Sequence, residues 1–67
     1  MEITVNNSTQ EIQEQTSIQR ILNELLGDKQ KGIAVAVNEA VVPRADWENY
    51  FLKSADKVLI IKATQGG

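Results

Sequence analysis

The stretch Ile33-Ala34-Val35-Ala36-Val37-Asn38-Glu39-Ala40-Val41-Val42-Pro43 carries the reading of the fold. Its first five residues place Ile and Val on one parity and alanine on the other, the two-residue period of a strand with unlike faces. Asn38-Glu39 is expected to turn the chain. Ala40-Val41-Val42 then pairs back as a short strand, and Pro43 ends it because proline has no N–H to donate to a ladder.

Upstream, Thr16 followed by Gln19 fits a capping box and predicts a helix start. Ile18, Ile21, Leu22, Leu25 and Leu26 recur at three- and four-residue steps, so they form an apolar core stripe while Gln19, Arg20, Asn23 and Glu24 point to water. Gly27 ends the helix, since glycine accepts a left-handed C′ conformation, and residues 28–32 form a charged loop. Nearer the N-terminus, Glu2-Ile3-Thr4-Val5-Asn6 alternates as a half-buried strand. Asn7-Ser8-Thr9 reads as its turn, and residues 10–13, with Ile12 their single large apolar residue, as the returning strand of a hairpin. Downstream, Asp46 near the start of residues 45–50 suits one helical turn or a coil that tucks Trp47 inward. Residues 57–63 are apolar on both parities, which predicts a central strand with both faces covered or one face reserved for a partner. The order strand, strand, helix, strand, strand, turn, strand is α+β: a β-grasp, with a mixed four- to five-stranded sheet curled over one main helix. Residues 1–63 make up this domain, and Thr64-Gln65-Gly66-Gly67 is expected to leave it as a flexible tail.

Composition narrows the functions open to such a chain. A length of 67 residues supports one modest core. With no Cys and no His, the side chains most used for nucleophilic attack, proton shuttling near neutral pH and zinc binding are missing. A self-sufficient enzyme is not expected, nor a metal site. Seven Lys and Arg against nine Asp and Glu are scattered, leaving no basic footprint for nucleic acid or an anionic membrane. The acidic start Met1-Glu2 does not resemble a targeting peptide, and no apolar run approaches the roughly 20 residues that span a bilayer; a cytoplasmic protein, monomeric when free, is the expectation.

Val35-Ala36-Val37-Asn38, Val42-Pro43-Arg44, Trp47, Leu59-Ile60-Ile61 and the terminal Gly66-Gly67 together resemble the thiamine-biosynthesis sulfur carrier (ThiS) family of ubiquitin-like proteins over nearly the whole chain. Pairing Val-Asn, Val-Pro-Arg and a following Trp is fairly specific, whereas a terminal Gly-Gly is shared with other ubiquitin-like proteins. Members commonly carry a Gly-Asp pair before the last strand; here Ser54-Ala55-Asp56 stands in its place, which puts the geometry of that turn in question. The resemblance implies a co-substrate with no bound cofactor. A ThiF-like adenylyltransferase uses ATP to adenylate the Gly67 carboxylate, a persulfide donor fed by a cysteine desulfurase converts it to a thiocarboxylate, and a ThiG-like thiazole synthase takes the sulfur. Two alternatives share the fold: a molybdopterin-type sulfur carrier, and a ubiquitin-like interaction module or protein modifier.

The residues speak to the site independently of the family. Two terminal glycines offer a slim main chain that enters a narrow active site, and four extended residues reach roughly 13–14 Å. A frayed end or an expression scar is the plainer account, but with glycine at about 7% of residues a terminal pair is an infrequent accident. Gly67 is thus the candidate reacting residue, with Gly66, Gln65 and Thr64 its partner-contacting approach. If Val58 and Ile60 face the helix, Leu59 and Ile61 lie opposite them; they form either a docking patch or a surface covered by the chain's own loops, Trp47 and Phe51 being the candidates for that cover. Arg44 sits at an exposed corner where it can meet a partner's acidic groups, the plainer account being a weak surface pairing with Asp46 or Glu48. Trp47 reads as an anchor at the core's edge, and Asp46 and Glu48 as solvated charge rather than an acid–base pair.

Overall fold

The structure, a computed structural model, describes residues 1–62. Two strands, β1 (Glu2–Val5) and β2 (Ser8–Glu11), form an antiparallel hairpin, followed by helix α1 (Ile18–Leu26), a second hairpin of β3 (Ile33–Val37) and β4 (Ala40–Val42), a 3-10 turn over Arg44–Asp46, and β5 (Lys57–Lys62). The sheet order is β2-β1-β5-β3-β4, with β5 parallel to β1 and antiparallel to β3. The last strand of the chain is therefore the middle of the sheet, and α1 covers one face of it, the β-grasp arrangement expected from the element order.

Burial sorts the strand residues by parity. Ile3, Val5, Val35, Val37, Val42 and Val58 point to the helix side, where Ile18, Ile21, Leu22, Trp47 and Leu52 complete the core. Burying each of these side chains contributes roughly 1.5–3 kcal/mol relative to leaving it in water. Trp47 is 2% exposed, and its indole N–H donates to the Val42 carbonyl at 2.9 Å, so its polar edge is satisfied inside the core.

Both hairpins turn through two residues with left-handed backbones. Asn6 and Asn7 have φ of 48° and 70°, Asn38 and Glu39 of 51° and 72°, as the tight two-residue turns matched to strand twist require. The first turn thus lies earlier than Asn7-Ser8-Thr9, and β2 is Ser8–Glu11 rather than residues 10–13. Asparagine tolerates the left-handed region, so the Asn6-Asn7 pair reverses the chain at once and releases Ser8 and Thr9 into the strand. Ile12 then falls just past β2, where its N–H donates to the Met1 carbonyl at 2.8 Å and its side chain packs against the core.

The helix start is also shifted by one residue. Ser17, not Thr16, is the N-cap, its hydroxyl accepting the Arg20 N–H at 3.1 Å. Thr16 is buried, donates its hydroxyl to the Gln13 carbonyl at 2.6 Å and lends its own carbonyl to the Leu52 N–H at 2.9 Å. Gln19 consequently closes no capping box; its amide reaches Asn23 and Gln30. Leu25, expected in the core stripe, is 43% exposed. Its angle about the helix is right, but the last turn of α1 overhangs the core, and Leu26 beside it is only partly buried. Gly27 ends the helix as expected, its N–H on the Asn23 carbonyl, but its φ of 57° goes with a ψ of −119°, a conformation open to glycine and outside the left-handed helical region anticipated for it.

The turn that replaces the Gly-Asp pair is held by Asp56, which is 8% exposed. Its carboxylate accepts the Lys53 N–H at 2.8 Å and the Asn38 side-chain amide at 3.0 Å, while the Asn38 oxygen accepts the Lys57 N–H at 2.9 Å. This network ties the β3–β4 turn to the start of β5. Between Ser54 and Asp56, Ala55 is forced to φ of 72° and donates its N–H to the Glu2 carbonyl at 2.7 Å. A Cβ in that region costs about 1–2 kcal/mol, and a glycine returns roughly 0.5–1 kcal/mol of that through unfolded-chain entropy. Ala55→Gly is therefore expected to stabilise the fold by about 0.5–1 kcal/mol, a gain of a few degrees in Tm at roughly 4–8 °C per kcal/mol for a domain this size. An unchanged or lowered melting temperature by differential scanning calorimetry contradicts the strain at Ala55.

Candidate docking face and carboxyl terminus

Strand alternation along β5 divides its side chains between two environments. Val58 is 2% exposed and Ile60 packs against the core, whereas Leu59 and Ile61 are 47% and 50% exposed on the opposite side. The register sets Ala36 of β3 beside Leu59 and Ala34 beside Ile61, so methyl-sized neighbours leave both aliphatic chains standing above the sheet. On the other edge of β3, Ala36 is paired with Val41, which is 74% exposed. The result is a continuous apolar strip across three strands, on the sheet face that α1 does not cover. Contiguous exposed apolar residues of this kind mark partner surfaces more often than scattered ones do. A shallow hollow lined by Thr4, Asn6, Lys57 and Glu39 borders the strip at Leu59.

The chain's own aromatic residues do not cover this strip. Trp47 lies within the core on the helix side, and Phe51, itself 52% exposed, is bridged to Ser17 before the helix. Among the described residues, neither Trp47 nor Phe51 nor any loop closes over Leu59 and Ile61, which stay 47% and 50% exposed. Val41 is a member of the strip that sequence reasoning passes over. The signal for it is present, because Val42 inward on a short strand obliges Val41 to point outward beside the alanine parity of β3.

Arg44 is held differently from the pairing anticipated with Asp46 or Glu48. Its Nη2 donates to the Gln30 carbonyl at 2.9 Å, and its guanidinium carbon lies 5.1 Å from the Trp47 ring centroid. Among the described residues, Arg44 forms no ion pair with either acid. The cause is local: the 3-10 turn brings residue 47 under residue 44, and a planar, weakly hydrated guanidinium gains from lying on an aromatic face. Arg44 is thereby placed with the loop after α1 and is not brought together with Leu59 and Ile61. Asp46 and Glu48 are exposed.

Thr64, Gln65, Gly66 and Gly67 lie outside the described residues. What is described is their root: β5 carries the apolar strip and runs through Lys62. A family model for the ThiS family matches residues 1–67. The chain belongs to the ThiS family. One relative within it, the sulfur carrier protein ThiS of Escherichia coli (strain K12), is 28% identical over 67 residues, covering 100% of both chains. Among solved structures, the crystal structure of the thiamine biosynthesis protein ThiS from Geobacter metallireducens superimposes with a TM-score of 0.86 at 23% identity, covering 100% of both chains. A solution structure of a thiamine biosynthesis protein from the same organism gives 0.77 at 23% identity, covering 100% of this chain and 88% of that one. These structural likenesses carry the fold, and no helix of the described residues is long and apolar enough to cross a membrane.

Opposite exposures at neighbouring β5 positions have a measurable consequence. Ile61→Thr keeps a β-branched side chain on a half-exposed site and is expected to cost under about 1 kcal/mol. Val58→Thr buries a hydroxyl in the core and is expected to cost about 1–3 kcal/mol. Urea unfolding of the two variants checks the order, and equal losses contradict the division of β5 into a core face and a free face.

Proposed function

We propose that this ThiS-family chain is a sulfur carrier for thiamine biosynthesis, and that its reacting group is the Gly67 carboxylate. The supporting observation is the continuity of β5: the strand that presents Leu59 and Ile61 to solvent runs within a few residues into Gly66-Gly67. A partner that grips the apolar strip is thereby close to the carboxylate it must modify.

In this reading an adenylyltransferase of the ThiF type docks on Leu59, Ile61 and Val41 and draws residues 64–67 into its active site. The carboxylate attacks the α-phosphate of ATP, releasing pyrophosphate and leaving an acyl-adenylate. The terminal sulfur of a persulfide, supplied through a cysteine desulfurase, displaces AMP. Reductive cleavage of its S–S bond by a thiol leaves the thiocarboxylate, which a thiazole synthase of the ThiG type consumes. Glycine at 66 and 67 leaves the approaching main chain slim, and the carrier supplies no catalytic side chain of its own. Arg44, tied to Gln30 and Trp47, is assigned to partner contact only at the rim, where charge steers encounter more than it holds a complex.

Mass spectrometry after incubation with ATP, the activating enzyme and a sulfur donor tests the proposal. The expected product has one carboxylate oxygen exchanged for sulfur, and deletion of Gly67 abolishes it while urea unfolding stays unchanged. Loading that survives the deletion refutes Gly67 as the reacting residue, and adducts on lysine in place of the thiocarboxylate make the chain a modifier instead.

A further inference from the structure

Pairing of β1 with β5 stops early. The register runs Thr4 to Lys57 and Val5 to Val58, and the Asn6 N–H closes onto the Val58 carbonyl at 2.9 Å before the chain turns away at a φ of 48°. From Ile60 onward β5 would be flanked by β3 alone. The side chain of Asn6 fills the missing position: its Oδ1 accepts the Ile60 N–H at 2.8 Å, and its Nδ2 donates to the Ile60 carbonyl at 3.3 Å. A carboxamide carries one donor and one acceptor in the arrangement of a peptide unit, so Asn6 acts as a further residue of β1 after the backbone of β1 has left the sheet.

We propose that Asn6 is a positioning residue for delivery of the C-terminal carboxylate, ordering the end of β5, residues 60–62, that precedes it in the sequence. This rests on the function proposed above. Ile60 lies between the two exposed docking residues Leu59 and Ile61, two positions before the last described residue. A clamp there orders the docking strip and the root of the terminal segment together. With it, a partner that engages the strip meets the terminus over a narrow range of directions. Without it, the end of β5 is held on one side only and must be ordered at each encounter, a cost that weakens productive binding and leaves the chemical step alone.

The same Asn also holds a left-handed turn position, so the test variants must keep the turn. Asn6→Gly accepts that backbone and removes the whole clamp; Asn6→Asp accepts it, keeps the acceptor for the Ile60 N–H and loses the donor. Hydrogen exchange by NMR, on the free chain, is expected to show faster exchange at Ile60 in Asn6→Gly, a smaller change in Asn6→Asp, and unchanged protection at Val35. Pyrophosphate release with the activating enzyme is expected to show KM raised on the order of 3- to 10-fold for Asn6→Gly, the worth of about one hydrogen bond, with kcat unchanged and Asn6→Asp in between. Unaltered Ile60 exchange, or a loss carried by kcat at constant KM, overturns the proposal. If the parent chain is not adenylated at all, the sulfur-carrier reading and the delivery role fall together, while the exchange result still decides whether Asn6 orders β5.

Discussion

Everything else in the molecule is arranged about a strand that is bonded on both edges. β5 takes β1 on one side and β3 on the other, so its backbone has little freedom and its side chains must alternate between two sharply different settings. Val58 and Ile60 meet the helix; Leu59 and Ile61 meet solvent. β5 reaches Lys62 still paired with β3, while β1 flanks it only at Lys57 and Val58. The proposed role of Gly67 asks for an ordered strand at this point, because a partner must find the carboxylate from the face it grips.

Several residues that carry the family resemblance turn out to serve this strand rather than any chemistry. Asn38 and Asp56 exchange hydrogen bonds with each other and with the backbone of Lys53 and Lys57, holding the entrance of β5. Trp47 closes the core beneath the Val42 carbonyl. At the other end Asn6 holds Ile60. Side-chain amides and a carboxylate thus supplement the ladder at the entrance of β5 and at Ile60, where β1, paired only with Lys57 and Val58, no longer flanks it. The substitution of alanine for glycine before Asp56 is tolerated because the network over-determines the turn, which keeps Ala55 in a conformation it would not choose.

Elements with a clear period are legible in the amino-acid sequence alone. The spans of β3 and β4 follow from branched residues on one parity, alanine on the other and a proline stop, and Gly27 as helix terminus follows from its conformational freedom. Single-residue choices are not legible in the same way. Thr16 and Ser17 are both good caps, and what decides between them is the Leu52 N–H, 36 positions away in sequence, which claims the Thr16 carbonyl. Likewise Asn7-Ser8-Thr9 and Asn6-Asn7 both suit a turn, and the tighter one is selected because the Asn6 side chain bonds across to Ile60, 54 residues distant. The division of Leu59 and Ile61 from Val58 and Ile60 is readable from alternation; whether the outer pair is covered is not, since that depends on where Trp47 and Phe51 travel. Asn6 escapes a sequence reading for the same reason, its importance being set by a neighbour on another strand, whereas Val41 is within reach of the alternation on β4.

The uncovered sheet face can also be weighed as a matter of stability. A domain this small buries a limited share of its surface, and apolar area left in water forgoes about 25 cal/mol per Å². Replacing the small Ala34 and Ala36 with larger residues would shield Leu59 and Ile61 from the side, and polar residues at 59 and 61 would remove the exposure altogether; the chain does neither. Ala36, which the register sets between Val41 and Leu59, is only 8% exposed, so the part of the strip that meets solvent is carried by Val41, Leu59 and Ile61. An exposed apolar strip kept at this cost, on the strand that precedes Gly66-Gly67 in the sequence, is what the proposed docking role asks for.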